Sequence, residues 1–293
     1  MKELVVISGK GGTGKTSVTA SLAVLAGPIV VADCDVDAAD LHLILTPDIQ
    51  ECHEFIHGHE AVIQEDVCVG CGACQLHCRF DAIAQTGPGS GPVRFEVDSH
   101  ACEGCGVCVE VCPVQAIEFP ERVCGEWFVS ETRVGPMIHA RLGIGADNSG
   151  KLVSLVRRRA SDIARELALD WVLVDGPPGI GCPVIASITG ASAVLVVTEP
   201  TLSGEHDLKR TLSLTKHFDV PTFVCVNKWD INPDQADAIE ALARTVGAQC
   251  VSRIPYDPVV TQAQVMCRAV ADDPNGPLTE TLKQIWKQLC QTV

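Results

Sequence analysis

Basic residues are scarce in this 293-residue sequence. Lys and Arg together number 22, against 37 Asp and Glu, so the formal net charge is -15. Proteins that bind nucleic-acid backbones or anionic membranes usually do so through a surface rich in Lys and Arg. We therefore expect no nucleic-acid partner and no attachment to a membrane.

Long apolar runs are also lacking. No run reaches the ~20 residues that a membrane-spanning helix needs. The first residues, Met-Lys-Glu, lead directly into the apolar run at 4–7, without the pattern of a secretory signal. The expectation from both absences is a cytoplasmic protein.

Cysteine, in contrast, is abundant, with 16 residues. Cytosolic thiols are kept reduced, so clustered cysteines in such a protein indicate metal binding rather than disulfides. Half of the cysteines lie in two compact runs. The other half are scattered, and most of these are predicted to be small core residues: Cys34, Cys52, Cys124, Cys182, Cys225, Cys250, Cys267 and Cys290.

Apolar, β-branched runs alternate with helical patterns along most of the chain. The runs are at 4–7, 29–33, 171–175, 193–199 and 222–227, and the helical patterns are at 15–26, 149–168, 204–217, 233–246 and 277–291. Continuous apolar runs suit strands that are buried on both faces. The alternation predicts an α/β fold, with a mostly parallel sheet and helices on both faces. The last helical pattern is expected to pack against the sheet.

The alternation stops between about residues 56 and 120. There the run "CVGCGACQLHCRFDAI" from Cys68 is repeated as "CEGCGVCVEVCPVQAI" from Cys102. An internal repeat of this kind indicates a small unit of its own. We predict an inserted α+β domain at 57–119 within a discontinuous domain at 1–56 and 120–293, with the His-rich stretch "CHEFIHGHE" as a solvated linker.

The stretch "ISGKGGTGKTS" at 7–17 has the pattern of a phosphate-binding loop between a strand and a helix. Its glycines allow backbone N–H groups to turn toward phosphate oxygens, and a helix N-terminus favours anions. Lys15 would reach the β- and γ-phosphates, and the Thr16 hydroxyl would ligate Mg²⁺. The predicted nucleotide-binding residues of this loop are Gly11, Gly12, Thr13, Gly14, Lys15, Thr16 and Ser17.

The same loop contains a second lysine, Lys10. With "KGGTGKT" the sequence resembles the deviant Walker A ATPases, a superfamily that includes MinD, ParA, Mrp-type iron–sulfur carriers and the nitrogenase iron protein. The resemblance implies ATP hydrolysis by a P-loop NTPase fold, in a homodimer or a dimer with a similar ATPase. It also implies that Lys10 reaches the phosphates of the partner subunit's ATP, where a cation stabilises the charge that moves during transfer. The alternative is a solvated surface lysine.

Two acidic segments resemble the switches of that superfamily. Asp35, in "VADCDVDAADLHL", matches the residue that positions the attacking water. Asp175, at the end of "WVLVD", matches the aspartate that holds Mg²⁺, and Gly179 matches the loop that senses the γ-phosphate. A strand-terminal aspartate can also simply cap a turn.

Two later segments resemble the places where the superfamily contacts the adenine base. They are "VNKWD", with Asn227, and "IPYD", with Pro255 and Asp257. Cys182 follows the second switch, and in a two-fold dimer it could lie next to Cys182 of the other subunit and act as a ligand or a reactive thiol. No second thiol lies beside it in the sequence.

The spacing C-x2-C-x2-C-x3-C occurs twice, and such runs can hold the corners of [4Fe–4S] cubes. The insert resembles bacterial two-cluster ferredoxins, in which the fourth cysteine of each run ligates the other cluster. It differs in having Arg79 where the first run usually has proline. Zinc sites and buried structural cysteines are the alternatives. The resemblance implies two [4Fe–4S] clusters, the first held by Cys68, Cys71, Cys74 and Cys112 and the second by Cys78, Cys102, Cys105 and Cys108.

These features together predict an iron–sulfur ATPase with ATP, Mg²⁺ and two clusters as its cofactors. Nucleotide state would control electron transfer, or metal-cluster assembly, toward an unidentified redox or metal-cluster protein. Two alternatives remain open: a nucleotide-binding scaffold that senses redox state, and a positioning ATPase like MinD or ParA.

Overall fold

A computed structural model of the protein describes residues 1–87, 93–143 and 149–292. The chain forms two compact units. The small unit lies between residues 54 and 126, with a further short segment that starts at residue 143, and the large unit contains the rest of the described chain. Both division points fall within strands. The domain limits proposed from the sequence stay a prediction.

The described residues form thirteen strands and ten helices. The strands are β1 (Lys2–Ser8), β2 (Val30–Asp33), β3 (Asp48–His59), β4 (Val62–Ile63), β5 (Ile83–Thr86), β6 (Arg94–Val97), β7 (Ile117–Glu118), β8 (Glu121–Thr132), β9 (Gly135–Leu142), β10 (Trp171–Pro178), β11 (Ala193–Thr198), β12 (Thr222–Val226) and β13 (Gln249–Cys250). The helices are α1 (Lys15–Ala26), α2 (Leu41–Leu45), α3 (Ala73–His77), α4 (Val107–Glu110), α5 (Ser149–Glu166), α6 (Cys182–Ile188), α7 (Leu202–His217), α8 (Pro233–Thr245), α9 (Val259–Val265) and α10 (Thr279–Thr292).

Within the described chain, one sheet of nine strands has the order β13-β12-β11-β1-β10-β2-β9-β8-β3. Strand β1 pairs in parallel with both β10 and β11, and the pairs from β10 to β2 and from β11 to β12 are parallel too. Leu4, Val5, Val6 and Ile7 of β1 are all fully buried. Because successive residues of a strand face opposite sides, both faces of the sheet are covered at this strand. The predicted α/β fold with a mostly parallel sheet is confirmed.

The C-terminal helix α10 packs on the core, as its pattern predicted. Leu282, Ile285 and Leu289 are buried in a cluster that also contains residues of β1, α1 and β10. Their spacing places them on one face of the helix. None of the helices in the described ranges is long and apolar enough to cross a bilayer.

Three strands at one side of the sheet were not predicted. Strands β8 and β9 are joined by a two-residue turn, and β9 pairs in parallel with β2. The prediction of a linker for residues 52–60 was wrong, because β3 runs through them as the last strand of the sheet. An edge strand does not need an apolar run, and β3 is mostly exposed and polar.

The small unit contains two antiparallel strand pairs, β4 with β7 and β5 with β6. Helix α3 lies in the first cysteine run and α4 in the second. The unit has its own apolar core, formed by Ala61, Cys74, Ile83, Phe95 and Ile117. Seven more cysteines of the two runs belong to this unit's described residues, and five of them pack against this core: Cys68, Cys78, Cys102, Cys108 and Cys112.

Candidate functional site

The glycine-rich loop links the end of β1 to the start of α1. Gly12 and Gly14 have φ values of 80° and 88°, which side chains other than glycine rarely adopt. A Cβ at Gly14 would also overlap the side-chain amide of Asn227. That amide donates a hydrogen bond to the carbonyl oxygen of Thr13 at 2.7 Å. The loop is therefore fixed by the residue that follows β12, which the sequence had assigned to the base site.

Lys15 lies between two carboxylates, one on Asp35, which follows β2, and one on Asp175, within β10. Its Nζ is 3.0 Å from Oδ2 of Asp175 and 3.3 Å from Oδ2 of Asp35. Burial lowers the pKa of Lys15, but the carboxylates of Asp175, Asp35 and Asp33 outweigh burial and raise it overall. The ammonium group is thus held charged in a buried place, where its attraction for anions is weakly screened.

Asp175 is fully buried, and its carboxylate accepts hydrogen bonds from two threonine hydroxyls. Thr16 donates to Oδ2 and Thr19 donates to Oδ1, each at 2.8 Å. The structure thus brings together Lys15, Thr16 and Asp175, as the sequence predicted. Thr19 was not predicted, although its position one turn after Lys15 could have suggested it.

Asp33 is the last residue of β2, and no role was predicted for it. It is fully buried; Oδ1 accepts from the backbone N–H of Asp35 at 3.1 Å and Oδ2 from that of Leu41 at 3.2 Å. Burial first, and then the charge of Asp175, raise the pKa of Asp33 well above its usual value. Burial also raises the pKa of Asp35, against the lowering effect of Lys15. Asp33 therefore shapes the segment that places Asp35 beside Lys15.

The hydroxyl of Thr13 has no hydrogen-bond partner in the part of the chain that the structure describes. Thr13 is 2% exposed, and its Oγ1 is the buried side-chain oxygen or nitrogen without a hydrogen bond among the described residues. An unpaired buried hydroxyl costs about 1–3 kcal/mol, so such groups usually have a partner in the complete molecule. At the centre of a phosphate-binding loop, a phosphate oxygen is a suitable acceptor.

Lys10 forms an ion pair within its own chain. Its Nζ lies 2.5 Å from Oε1 of Glu199, and it donates to Oγ of Ser203 at 2.9 Å. Glu199 also pairs with Lys228 at 3.4 Å, and Lys228 donates to the carbonyl oxygen of Gly12 at 3.2 Å. Burial raises the pKa of Glu199, but Lys10 and Lys228 outweigh burial and lower it overall.

Glu199 was not among the site residues predicted from the sequence. The available signal was its position directly after β11, because β11 is the neighbour of β1 and the carboxyl ends of parallel strands meet at one edge of the sheet.

Two further residues that were predicted to bind the nucleotide are Gly179, in the loop after β10, and Ser17, in the first turn of α1. Gly179 has φ 93°, and its N–H donates to the carbonyl oxygen of Ser8 at 2.8 Å. Ser17 accepts from Gln264 of α9 at 2.9 Å. Cys182 is exposed at the first position of α6.

The two segments assigned to the base lie side by side, since Asn227 forms a bridge with Ile254, directly before Pro255. Asp257 accepts from the backbone N–H of Val259 at 2.8 Å. In the described chain no hydrogen bond joins Pro255 or Asp257 to the phosphate-binding loop.

Four cysteines line one recess of the small unit. They are Cys78, Cys102, Cys105 and Cys108, the set that the resemblance assigned to the second cluster. Phe119, Ile83 and Ala61 form part of the apolar wall of this recess. Four thiols around one apolar space suit a [4Fe–4S] cube.

In the set assigned to the first cluster, the thiols of Cys68, Cys71 and Cys74 lie near one another. Burial raises the pKa of Cys74, and the thiols of Cys68 and Cys71 are near enough to raise it further. Sγ of Cys112 accepts from the N–H of Ala116 at 3.2 Å. In the described ranges no three His, Cys, Asp or Glu side chains converge as ligands of a single ion. A cube differs from such a site because each thiolate binds a different corner.

One glycine in each cysteine run is required by close packing. Gly70 and Gly104 have φ values of 71° and 61° and occupy the same position in the two runs. A Cβ would overlap the carbonyl oxygen of Val93 at Gly70 and that of His59 at Gly104. The two runs therefore have the same local fold but pack against different parts of the chain.

Comparison with solved structures agrees with this architecture. The MinC:MinD cell division complex of Aquifex aeolicus gives a TM-score of 0.60 at 17% identity, over 99% of this chain and 96% of that chain. The cell division ATPase MinD of Pyrococcus furiosus gives 0.58 at 18% identity, over 100% and 99%. A ParA family ATPase from Chlorobium tepidum gives 0.55 at 16% identity, over 98% of both chains.

Residues 61–119 match the model of the 4Fe-4S dicluster domain family. The fold and this match define the class: an iron–sulfur protein built on the fold of the MinD and ParA ATPases, with a dicluster domain inserted in it. The resemblance found in the sequence is confirmed to that extent.

A curated relative shows the family. The uncharacterized protein MJ0578 of Methanocaldococcus jannaschii is 31% identical over 291 residues, which cover 98% of this chain and 96% of the relative. Protein MJ0579 of the same organism is 23% identical over 264 residues, or 79% and 83% of the two chains. The chain belongs to the family of MJ0578.

Proposed function

We propose that this protein binds and hydrolyses MgATP as a dimer, and that its nucleotide state controls electron transfer, or metal-cluster assembly on a partner, through the iron–sulfur domain. The observation that carries the proposal is the buried charged site in which Lys15 lies between Asp35 and Asp175, beside the unpaired hydroxyl of Thr13. Buried ionisable groups with shifted pKa values cluster at functional sites.

When MgATP binds, the residues of the phosphate site would replace their present contacts by contacts to the nucleotide and its metal ion. Lys15 now pairs with Asp175 and Asp35 and would turn its ammonium group to the phosphates of ATP. Thr16 and Asp175 would then hold Mg²⁺, a hard cation that prefers oxygen ligands and that neutralises phosphate charge when it is bound. The Thr13 hydroxyl would donate to a phosphate oxygen and so gain the partner that it lacks.

Asp35 and Lys10 would complete the site. The Asp35 carboxylate, held by the backbone contact to Asp33, would orient the attacking water. Lys10 would leave Glu199 and contact the phosphates bound by a second subunit, either a copy of this chain or a similar ATPase. Gly179, Asn227, Pro255 and Asp257 would contact the γ-phosphate side and the base.

The small unit would hold two [4Fe–4S] clusters, the first on Cys68, Cys71, Cys74 and Cys112 and the second on Cys78, Cys102, Cys105 and Cys108. The recess lined by the second set supports the fit. Bound clusters supply one-electron chemistry, and the cysteines fix where each would lie. The partner would be a redox protein or a protein that receives a metal cluster. Reduced thiols of this kind suit the cytoplasm.

The test is ATP turnover by iron-loaded protein purified without oxygen, with the clusters first oxidised and then reduced. Lys10→Ala is the test variant, and Lys216→Ala, which changes an exposed lysine at the end of α7, is the matched control. We expect turnover that depends on the redox state, that is lost in Lys10→Ala and that is unchanged in Lys216→Ala.

Two other results would contradict parts of the proposal. Turnover that ignores the redox state but needs Lys10 would leave an ATPase without coupling, as in a positioning ATPase. Tight nucleotide binding without turnover in either redox state would favour a nucleotide-binding scaffold that senses redox state.

A further inference from the structure

Positive charge is rare in the small unit and unevenly placed. Between residues 54 and 126 the sequence has twelve Asp and Glu, three Arg and no Lys. The three arginines are Arg79, Arg94 and Arg122. Arg94 forms an ion pair with Glu65, so its charge is balanced by a neighbour. Neither Arg79 nor Arg122 has a carboxylate at ion-pair distance among the residues that the structure describes.

Arg122 contacts the second cysteine set directly. Its Nη1 donates to the carbonyl oxygen of Cys102 at 3.2 Å, and the side chain is only partly exposed. Arg79 is exposed and follows Cys78, another member of the same set. Both unbalanced guanidinium groups of the small unit are therefore at ligands of the second cluster.

The first cysteine set has no arginine without an ion-pair partner beside its described members in the sequence, and acidic residues lie near both sets. Asp66 lies two residues before Cys68, and Glu110 lies between the two sets, two residues after Cys108 of the second and two residues before Cys112 of the first. Glu103, next to Cys102, lines the recess of the second set, but all three of these carboxylates are exposed. Water and salt screen exposed charges more than partly buried ones, so Arg122 outweighs Glu103 in its effect on the nearby cysteines.

A reduced cluster carries one more negative charge than an oxidised one. A nearby cation stabilises the reduced form and raises the reduction potential, since net charge and hydrogen bonds near the cysteines set cluster potentials. We propose that Arg122 makes the second cluster the more easily reduced of the two, so that an electron received by the small unit resides there. This inference rests on the two clusters of the proposed function.

The experiment is a redox titration of the iron-loaded full chain with dithionite, followed by electron paramagnetic resonance. Cys71→Ser and Cys105→Ser, which change the exposed cysteine of each set, identify the signal of each cluster. Arg122→Gln keeps an N–H donor but removes the charge, Arg122→Lys keeps the charge, and Arg94→Gln is the control at a balanced arginine.

In the wild-type protein we expect the signal changed by Cys105→Ser to have the higher midpoint potential. Arg122→Gln should lower that midpoint alone, by about a tenfold change in the ratio of reduced to oxidised cluster, or ~59 mV for one electron. Arg122→Lys should stay near the wild-type midpoint, and Arg94→Gln should leave the second cluster unchanged.

Equal shifts of both clusters in Arg122→Gln, or no shift, would overturn the inference while two clusters remain. A higher midpoint for the first cluster in the wild-type protein would also overturn it, and this measurement decides the question if Arg122→Gln does not load iron. An iron content of four per chain in the wild-type protein would instead contradict the two-cluster proposal itself.

Discussion

Thr13→Val should change stability and nucleotide binding in opposite directions. The Thr13 hydroxyl is buried and has no partner among the described residues. Valine has nearly the same shape without the polar group, and removing an unpaired hydroxyl recovers part of its desolvation cost of about 1–3 kcal/mol. We expect the nucleotide-free variant to be more stable by about 1 kcal/mol, which corresponds to about 2–4 °C in the unfolding midpoint for a chain of this size class.

Binding should respond with the opposite sign. A hydrogen bond to a charged group contributes about 1.5–3 kcal/mol, so the loss of the bond to a phosphate oxygen predicts roughly 10- to 100-fold weaker binding of ATP. Thermal unfolding followed by circular dichroism measures the first effect, and calorimetric titration with a non-hydrolysable ATP analogue measures the second. The clusters are kept loaded and in one redox state in both assays.

Thr19→Val is the matched control, because the Thr19 hydroxyl is satisfied. Its Oγ1 lies 2.8 Å from Oδ1 of Asp175 and 3.0 Å from the carbonyl oxygen of Lys15, so its single proton has an acceptor. This variant should lose stability, since it leaves a buried carboxylate with one donor fewer. If Thr13→Val instead lowered the unfolding midpoint, or bound nucleotide as tightly as the wild type, the Thr13 hydroxyl would not be a phosphate donor.

Three further changes test other parts of the molecule. Glu199→Gln removes the charge that holds Lys10 within its own chain, so Lys10 no longer has to break this ion pair to reach the second subunit. A partly exposed ion pair contributes about 0.5–1 kcal/mol, so the ATP concentration needed for dimers in sedimentation should fall about 2- to 5-fold. A rise would show that Glu199 assists Lys10. Burial, with the charge of His42 next, lowers the pKa of His139 from 6.5 to about 4. The unfolded chain therefore takes up this proton first as the pH falls, so the free energy of unfolding should decrease by about 3 kcal/mol between pH 6.5 and pH 4. Urea titrations should show a smaller decrease in His139→Gln, and an unchanged decrease would contradict the assignment. Gly104→Ala should halve the iron content, because its Cβ would overlap a carbonyl oxygen, whereas Gly247→Ala, at an open position with φ 89°, should not.

The sequence predicted the parts of the fold that depend on local patterns. The apolar runs of β1, β10 and β11 and the helical patterns of α1 and α10 are strong because these elements are buried, and the structure confirms the α/β fold that they indicated. Strand β3 was wrongly predicted as a linker. Its buried positions are few, so nothing in its residues separates an edge strand from a solvated connection.

The site was predictable to the same extent. Lys15, Thr16 and Asp175 come together because a loop motif and a buried strand fix them locally, while their roles stay predictions. Glu199 depends on which strand lies beside β1, and this is a property of the sheet order that the sequence alone does not contain. The cis pairing of Lys10 was not predicted for the same reason.

The packing of Gly104 on His59 has a practical consequence for the dicluster domain. The family match covers residues 61–119, so a fragment cut at those limits would lack both His59, whose backbone closes the second cysteine run, and Arg122, which contacts Cys102. The first run, which packs on Val93, would stay complete. The second cysteine run thus depends on residues outside 61–119, whereas the first does not. A transplant of the domain into another protein should therefore extend from residue 54 to residue 126.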